Sequence, residues 1–271
     1  MAQSLKGRLR LAFPDTGPRM AFVAVYCSFG AIMFGMDYGF WSGLLGMQQF
    51  VKDFGIYDAN TKSYILPSSW VSAGSGIPIA GLAIGALLAG LISKRIGRVR
   101  ACRYLAYMSI VGSLIMTTAI TSYWQIMVGR FINTAALGLL ANTLPVYLAE
   151  VAPLRLRGSL INVYQFSIGI GAVLVGTINW GMNTRTDQWA YRLVLLIQVP
   201  LALVFAIGSF FIVESPRWLI GKSRETEAQK NLAILRPYVS RDVITHEVQL
   251  LVAAEEENKT HFSSGWLECF R

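Results

Sequence analysis

Six long apolar stretches, separated by short polar segments, dominate the pattern of this 271-residue chain. They run over roughly Met20–Leu45, Trp70–Ile92, Arg103–Ile120, Trp124–Leu148, Leu160–Met182 and Trp189–Val213. Each is near the length, about 20 residues, that a helix needs to cross a hydrocarbon layer of about 30 Å. A tilted membrane strand needs only about half of that. Lipid offers no partner to an unpaired backbone group, so stretches this long predict helices. We expect an all-α, polytopic membrane protein with six transmembrane helices, an N-terminal segment over residues 1–19 and a polar, helical segment over residues 214–271. Within that last segment a helical pattern runs around Thr245–Glu257.

The polar connections alternate in charge. Lys6, Arg8, Arg10 and Arg19 precede the first stretch, and Lys94, Arg95, Arg98, Arg100 and Arg103 mark the turn between the second and third. Arg155 and Arg157 follow the fourth, and Arg217, Lys222 and Arg224 the sixth. The other connections are poorer in cations: in Gly46–Ser69 two lysines are offset by Asp53 and Asp58, Thr121–Tyr123 is uncharged, and Arg185 is offset by Asp187. Cation-rich loops stay in the cytoplasm, so both termini are expected there. Trp70, Trp124, Trp180 and Trp189 fall near the opposite ends, where indole rings favour the interface.

Composition agrees with this reading: 54% of residues are hydrophobic and 14% charged, against about 25% charged in soluble domains. The net charge of +9 does not point to nucleic acid, because the cations sit in loops between apolar stretches. Cys27, Cys102 and Cys269 have no paired spacing, and free thiols are expected. No cleavable signal peptide is visible in the first 19 residues. Gly35, Gly39 and Gly43, and then Gly81 and Gly85, recur every four residues, the spacing by which membrane helices approach closely.

Two ionisable residues fall inside the apolar stretches, Asp37 and Arg130. A charge at that depth costs a few kcal/mol and demands a partner or a wet cavity. Being of opposite sign, each is the economical partner of the other. A structural ion pair would satisfy both; a proton site, with Arg130 tuning Asp37, is the functional reading. Asn133, Asn142, Thr143, Asn162, Gln165 and Asn179 add hydrogen-bonding groups suited to hydroxyl-rich substrates, with Phe34, Tyr38, Tyr147, Tyr164 and Phe166 as aromatic neighbours. Helix-to-helix hydrogen bonds would explain most of them equally well. Arg95, Arg98, Glu150, Arg157, Glu214 and Arg217 cluster at the cytoplasmic ends, either as surface pairs or as a conformation-dependent network. The histidines, His246 and His261, lie in the polar segment, and no nucleophile–base or metal cluster occurs in the spans. Nothing calls for a cofactor, a metal or an enzymatic role.

Five ordered motifs carry a resemblance. Phe34-Gly35-Met36-Asp37-Tyr38-Gly39, the run GLISKRIGRVR over Gly90–Arg100, Gly129-Arg130, Pro145–Glu150 with Pro153, Arg157-Gly158 and Gln165, and Glu214–Leu219 together resemble the N-terminal half of the sugar porters of the major facilitator superfamily. That resemblance implies a plasma-membrane, multi-pass protein of twelve helices in two halves, with a substrate site between them and alternating access. It implies Asp37 as the proton-coupling acid with Arg130 its partner, Gln165 on sugar hydroxyls and Phe34 beside them. It also implies Arg98, Glu150, Arg157, Glu214 and Arg217 as a cytoplasmic gating network. Expected partners are a small-molecule substrate of sugar type, protons, the bilayer and a C-terminal six-helix half. Lys94, Val99 and Val213 depart from the motifs, standing where an acid, a base and a proline are expected. A polyol, organic acid or secondary metabolite as cargo, a non-transporting sugar sensor, and an inactive fragment are the alternatives.

Overall fold

Pro18, whose fixed φ suits a first helical turn, opens α1 (Pro18–Gly46) of the computed structural model, which describes residues 17–59, 62–120 and 122–261. After it come α2 (Gln48–Phe54) and a small antiparallel hairpin of β1 (Ile56–Asp58) and β2 (Ser63–Ile65), with Tyr57 opposite Tyr64. The long helices α3 (Ser68–Ile96), α4 (Arg98–Thr117), α5 (Tyr123–Val151) and α6 (Arg157–Met182) follow. α7 (Trp189–Leu196) and α8 (Gln198–Gly208) come next, then α9 (Pro216–Gly221), α10 (Glu225–Leu235) and α11 (Arg241–His261). Lys6, Arg8, Arg10 and Cys269 lie outside the described residues.

By length and apolarity, α1, α3, α5, α6 and the α7–α8 pair can each cross a membrane. α4 is of similar length, but Arg98, Arg100 and Arg103 fill its first turns and lower its hydropathy. Pro200 accounts for the break at Ile197, because it lacks an N–H and its ring crowds the carbonyl four residues back.

Two expectations need correction. The basic turn after the second apolar stretch is the single residue Gly97, and its cations sit on the ends of α3 and α4. The sixth helix stops at Gly208 instead of Val213, where Ser209 Oγ turns back to the Ala206 carbonyl and the Phe210 and Phe211 amides close three-residue turns. The Gly46–Ser69 connection carries ordered structure: Phe50 and Phe54 are buried and meet Tyr191 of α7 edge-to-face.

Close approach between backbones sets the packing. α1 lies on α6, where a Cβ at Gly35 would strike the Ile168 carbonyl and one at Gly171 the Ile32 carbonyl. α5 meets α3 the same way, through Gly138 on the Leu82 carbonyl and Gly85 on that of Ala135. Without a hydrophobic drive between helices in lipid, such dispersion-rich contact is what holds them. α1 and α5 are the central helices, while α3 and α6 have only 22% of their apolar windows buried. A separate apolar cluster of Leu219, Ile220, Ala228, Leu232, Ile244 and Val248 unites α9, α10 and α11.

Candidate functional site

Asp37 sits in the middle of α1, buried where α1, α4, α5 and α8 converge. Its Oδ1 accepts a hydrogen bond from Asn133 Nδ2 at 2.8 Å. The same amide donates to Gln198 Oε1 at 3.0 Å, and Asn133 Oδ1 accepts from Ser109 Oγ at 2.6 Å. One asparagine thus ties the acid to helices that reach it from three directions. A void of ≈ 10 Å³ lies among Asp37, Ser109, Asn133 and Gln198, about the smallest that holds one water.

Arg130, one turn before Thr134 on α5, is buried as well. Its Nη1 donates to the Gly74 carbonyl at 2.6 Å, and its guanidinium carbon lies 4.3 Å from the Trp41 ring and 4.9 Å from that of Phe40. Gly74 is glycine for a visible reason: a Cβ there would run into Trp41 and the Tyr123 hydroxyl. Ion pairs among the described residues join Arg98 to Glu150, Arg185 to Asp187, Arg224 to Glu227 and Arg236 to Glu247. Asp37 and Arg130 are not such a pair. They share instead a cavity of ≈ 390 Å³, lined also by Phe34, Tyr38, Trp41, Ser75 and Thr134. Asp37 is bonded by a neutral amide, and Arg130 by a carbonyl and two rings with its Nε left without a hydrogen-bond partner, so the two charges face one cavity without forming an ion pair.

Phe34 lines this cavity together with Asp37. Gln165 does not line this cavity; it is exposed on α6 next to Phe166, which is 73% exposed. Tyr38 lines the cavity and is 83% exposed. Gln198 and Ser109 escape the sequence reading. Gln198 had a signal, being a lone amide in the apolar run Leu195–Phe205; Ser109 had none.

At the other end of the bundle, Arg98 grips Glu150 with two bonds, Nε to Oε2 at 3.1 Å and Nη2 to Oε1 at 2.9 Å. Side-chain exposures of 14% and 12% make this a stronger contact than the exposed Arg185–Asp187 pair. Glu214 caps α4: its carboxylate accepts from the backbone nitrogens of Arg98 at 2.8 Å, Val99 at 3.2 Å and Ser215 at 3.1 Å. A carboxylate at a helix N-terminus meets both unpaired N–H groups and the positive end of the dipole. Burial still raises the Glu214 carboxyl above its usual range, against the lowering by the Ser215, Arg98 and Val99 amides and the Arg98 guanidinium. Asn231 of α10 donates to the Glu214 carbonyl at 3.0 Å, and Trp218 Nε1 to the Lys94 carbonyl at 2.9 Å. Arg217 makes no ion pair among the described residues, and lines a cleft of ≈ 690 Å³ with Arg98, Glu150, Lys94 and Lys222. Arg157 makes no ion pair among the described residues, and its Nε is buried without a hydrogen-bond partner.

Residues 23–271 match the family model described as sugar (and other) transporter. The low-affinity glucose transporter HXT4 of Saccharomyces cerevisiae is 29% identical over 92% of this chain and 44% of its own length. For the major facilitator-type transporter ecdD of Aspergillus rugulosus the figures are 30%, 92% and 46%. The high-affinity hexose transporter ght4 of Schizosaccharomyces pombe is 32% identical over 76% of this chain and 37% of its own. These relatives are transporters, and this chain spans less than half the length of each. Among solved structures, the proton:xylose symporter XylE bound to 6-bromo-6-deoxy-D-glucose superposes with a TM-score of 0.80, at 22% identity, over 93% of this chain and 56% of that one. The fold is that of the major facilitator superfamily, and the chain belongs to its sugar (and other) transporter family.

Proposed function

We propose that this chain supplies the N-terminal six-helix half of a proton-coupled sugar porter of the plasma membrane, with both termini cytoplasmic. The observation that carries the reading is the buried Asp37 carboxyl opening onto the ≈ 390 Å³ cavity that Arg130 also lines. An acid held by a neutral amide, with a cation across the cavity, can gain or lose a proton without breaking an ion pair. Movement of Arg130 towards Asp37 favours the carboxylate and release of the proton; movement away favours uptake. Phe34, at the cavity wall, and Gln165, exposed on α6, are assigned to the substrate. Arg98, Glu150, Arg157, Glu214 and Arg217 are assigned to a cytoplasmic network that closes in one conformation and opens in the other. The glucose and hexose transporters among the relatives, and the proton:xylose symporter of like fold, support a sugar as cargo.

The assignment is tested by expressing the chain together with a C-terminal half from a related porter and measuring uptake of labelled glucose, maltose and lactose at two external pH values. Asp37→Asn keeps the shape and the Asn133 contact but cannot exchange a proton. It is expected to abolish accumulation against a gradient and to spare exchange. Undiminished pH-driven accumulation by the variant would place coupling elsewhere. The chain alone is expected to insert without transporting, because one wall of the site comes from the other half.

A further inference from the structure

A second cleft, of ≈ 240 Å³, opens on the flank of the bundle between α4, the chain that follows α8, and α9–α10. Arg100, Arg103 and Arg224 face it, together with Glu214, Glu227, Trp218 and the apolar Val99, Ile212 and Leu219. Its acids are already engaged. Glu214 is held by the backbone of α4, and Glu227 by a two-bond pair with Arg224, at 2.8 and 2.5 Å. Arg100 and Arg103 are left over. They sit three residues apart on α4, hence on one side of it, and neither makes an ion pair among the described residues. Arg103 is under-satisfied: its Nε is buried without a partner, and its Nη2 has only a 3.5 Å bond to the Ser209 carbonyl.

Directly against this guanidinium the surface turns apolar. Arg103 lies 4.5 Å from the Phe210 ring, and Phe210 and Phe211 are 58% and 65% exposed. On α4 itself Tyr104 and Tyr107 are exposed. Two uncompensated guanidiniums bordering an exposed aromatic wall, at the end of a membrane-crossing bundle, match a headgroup phosphate and the acyl chain below it. A soluble phosphate would use the arginines but leave the wall uncovered. We propose that this cleft binds the phosphate of an anionic phospholipid through Arg100 and Arg103, with the acyl chains along Phe210 and Phe211.

The test reconstitutes the full chain into nanodiscs of phosphatidylcholine with a minority of phosphatidylglycerol, releases it into detergent, and counts retained lipids by native mass spectrometry. Phosphatidylglycerol should be enriched over its bulk share, and the enrichment should fall by about fivefold for each arginine removed, in Arg100→Gln, Arg103→Gln and the double variant. Arg95→Gln removes an exposed charge from the same end of the bundle but outside the cleft, and should retain the lipid. Equal loss in Arg95→Gln would reduce the effect to overall surface charge and overturn the site. Wild-type chain that carries phosphatidylglycerol only at its bulk share overturns it too, however the variants fold. Inorganic phosphate and glycerol 3-phosphate are added in excess as a further arm: displacement of the lipid by either would assign the cleft to a soluble phosphate and end the membrane reading.

Discussion

Glu214 Oε1 accepts the backbone N–H of Arg98 at 2.8 Å, while the Arg98 side chain turns away to grip Glu150. The two residues are 116 positions apart. Through them the start of α4 is tied at once to α5 and to the segment leading into α9. Opening this end of the bundle would have to break an ion pair and uncap a helix together. The contact depends on Gly97, which separates α3 from α4 by one residue.

Gly97 has φ +100° and ψ 164°, a conformation that only glycine adopts readily, and a Cβ there would lie 2.5 Å from Glu214 Oε2. Gly97→Ala should lower the stability of the solubilised chain by about 1–3 kcal/mol. Gly90→Ala, where a Cβ meets nothing within 4 Å, is the control. Thermal unfolding in detergent, read by tryptophan fluorescence, checks the pair; equal melting temperatures would remove the strain argument.

Glu214 gives a pH signature. Its folded-state pKa lies above the ordinary value of 4.5, chiefly through burial. The folded chain therefore holds this proton more tightly than the unfolded chain does. Stability from that source is full below the ordinary glutamate value and is lost as pH rises through the raised one. Glu214→Gln keeps an oxygen to cap α4 and cannot titrate, so its stability should decline less across that window. Melting curves from pH 4 upward compare the two, and parallel slopes would mean that Glu214 does not titrate there.

Asn133 serves three partners at once. Asn133→Leu strips Asp37, Gln198 and Ser109 of their shared contact, and each buried polar group so abandoned costs about 1–3 kcal/mol. Asn142→Leu makes the same chemical change at an exposed site whose amide bonds only to Gly138 in its own helix, at 3.3 Å. Denaturation in mixed micelles should show the first variant markedly less stable and the second near wild type. The reverse order would contradict the hub.

Orientation is open to a direct check. Arg185, exposed between α6 and α7, is paired only with the exposed Asp187 at 2.7 Å. Trypsin added outside intact cells should cut after Arg185 and spare the residues of α10 and α11. The Gly46–Ser69 connection should resist better, because Phe50 and Phe54 anchor α2 against Tyr191. Cleavage of α11 from outside would invert the proposed topology.

The hydropathy pattern by itself determined that this is a bundle of membrane-length helices, and the motifs identified its family, because both are local properties of the chain. They also singled out Asp37, Arg130, Arg98, Glu150 and Glu214, since a charge at an apolar position or a motif residue is visible without knowing its neighbours. What those residues touch was decided only by tertiary structure. Asp37 is bonded by Asn133, not by the oppositely charged Arg130, which faces Gly74 and two rings. Which face of α5 meets α1, α3 or α4 depends on how closely the backbones come together and how each helix is rotated. Those are set by contacts such as Gly35 on Ile168 and Gly138 on Leu82, between residues more than fifty positions apart. Charge sign names the residues able to pair, but helix rotation selects the ones that meet.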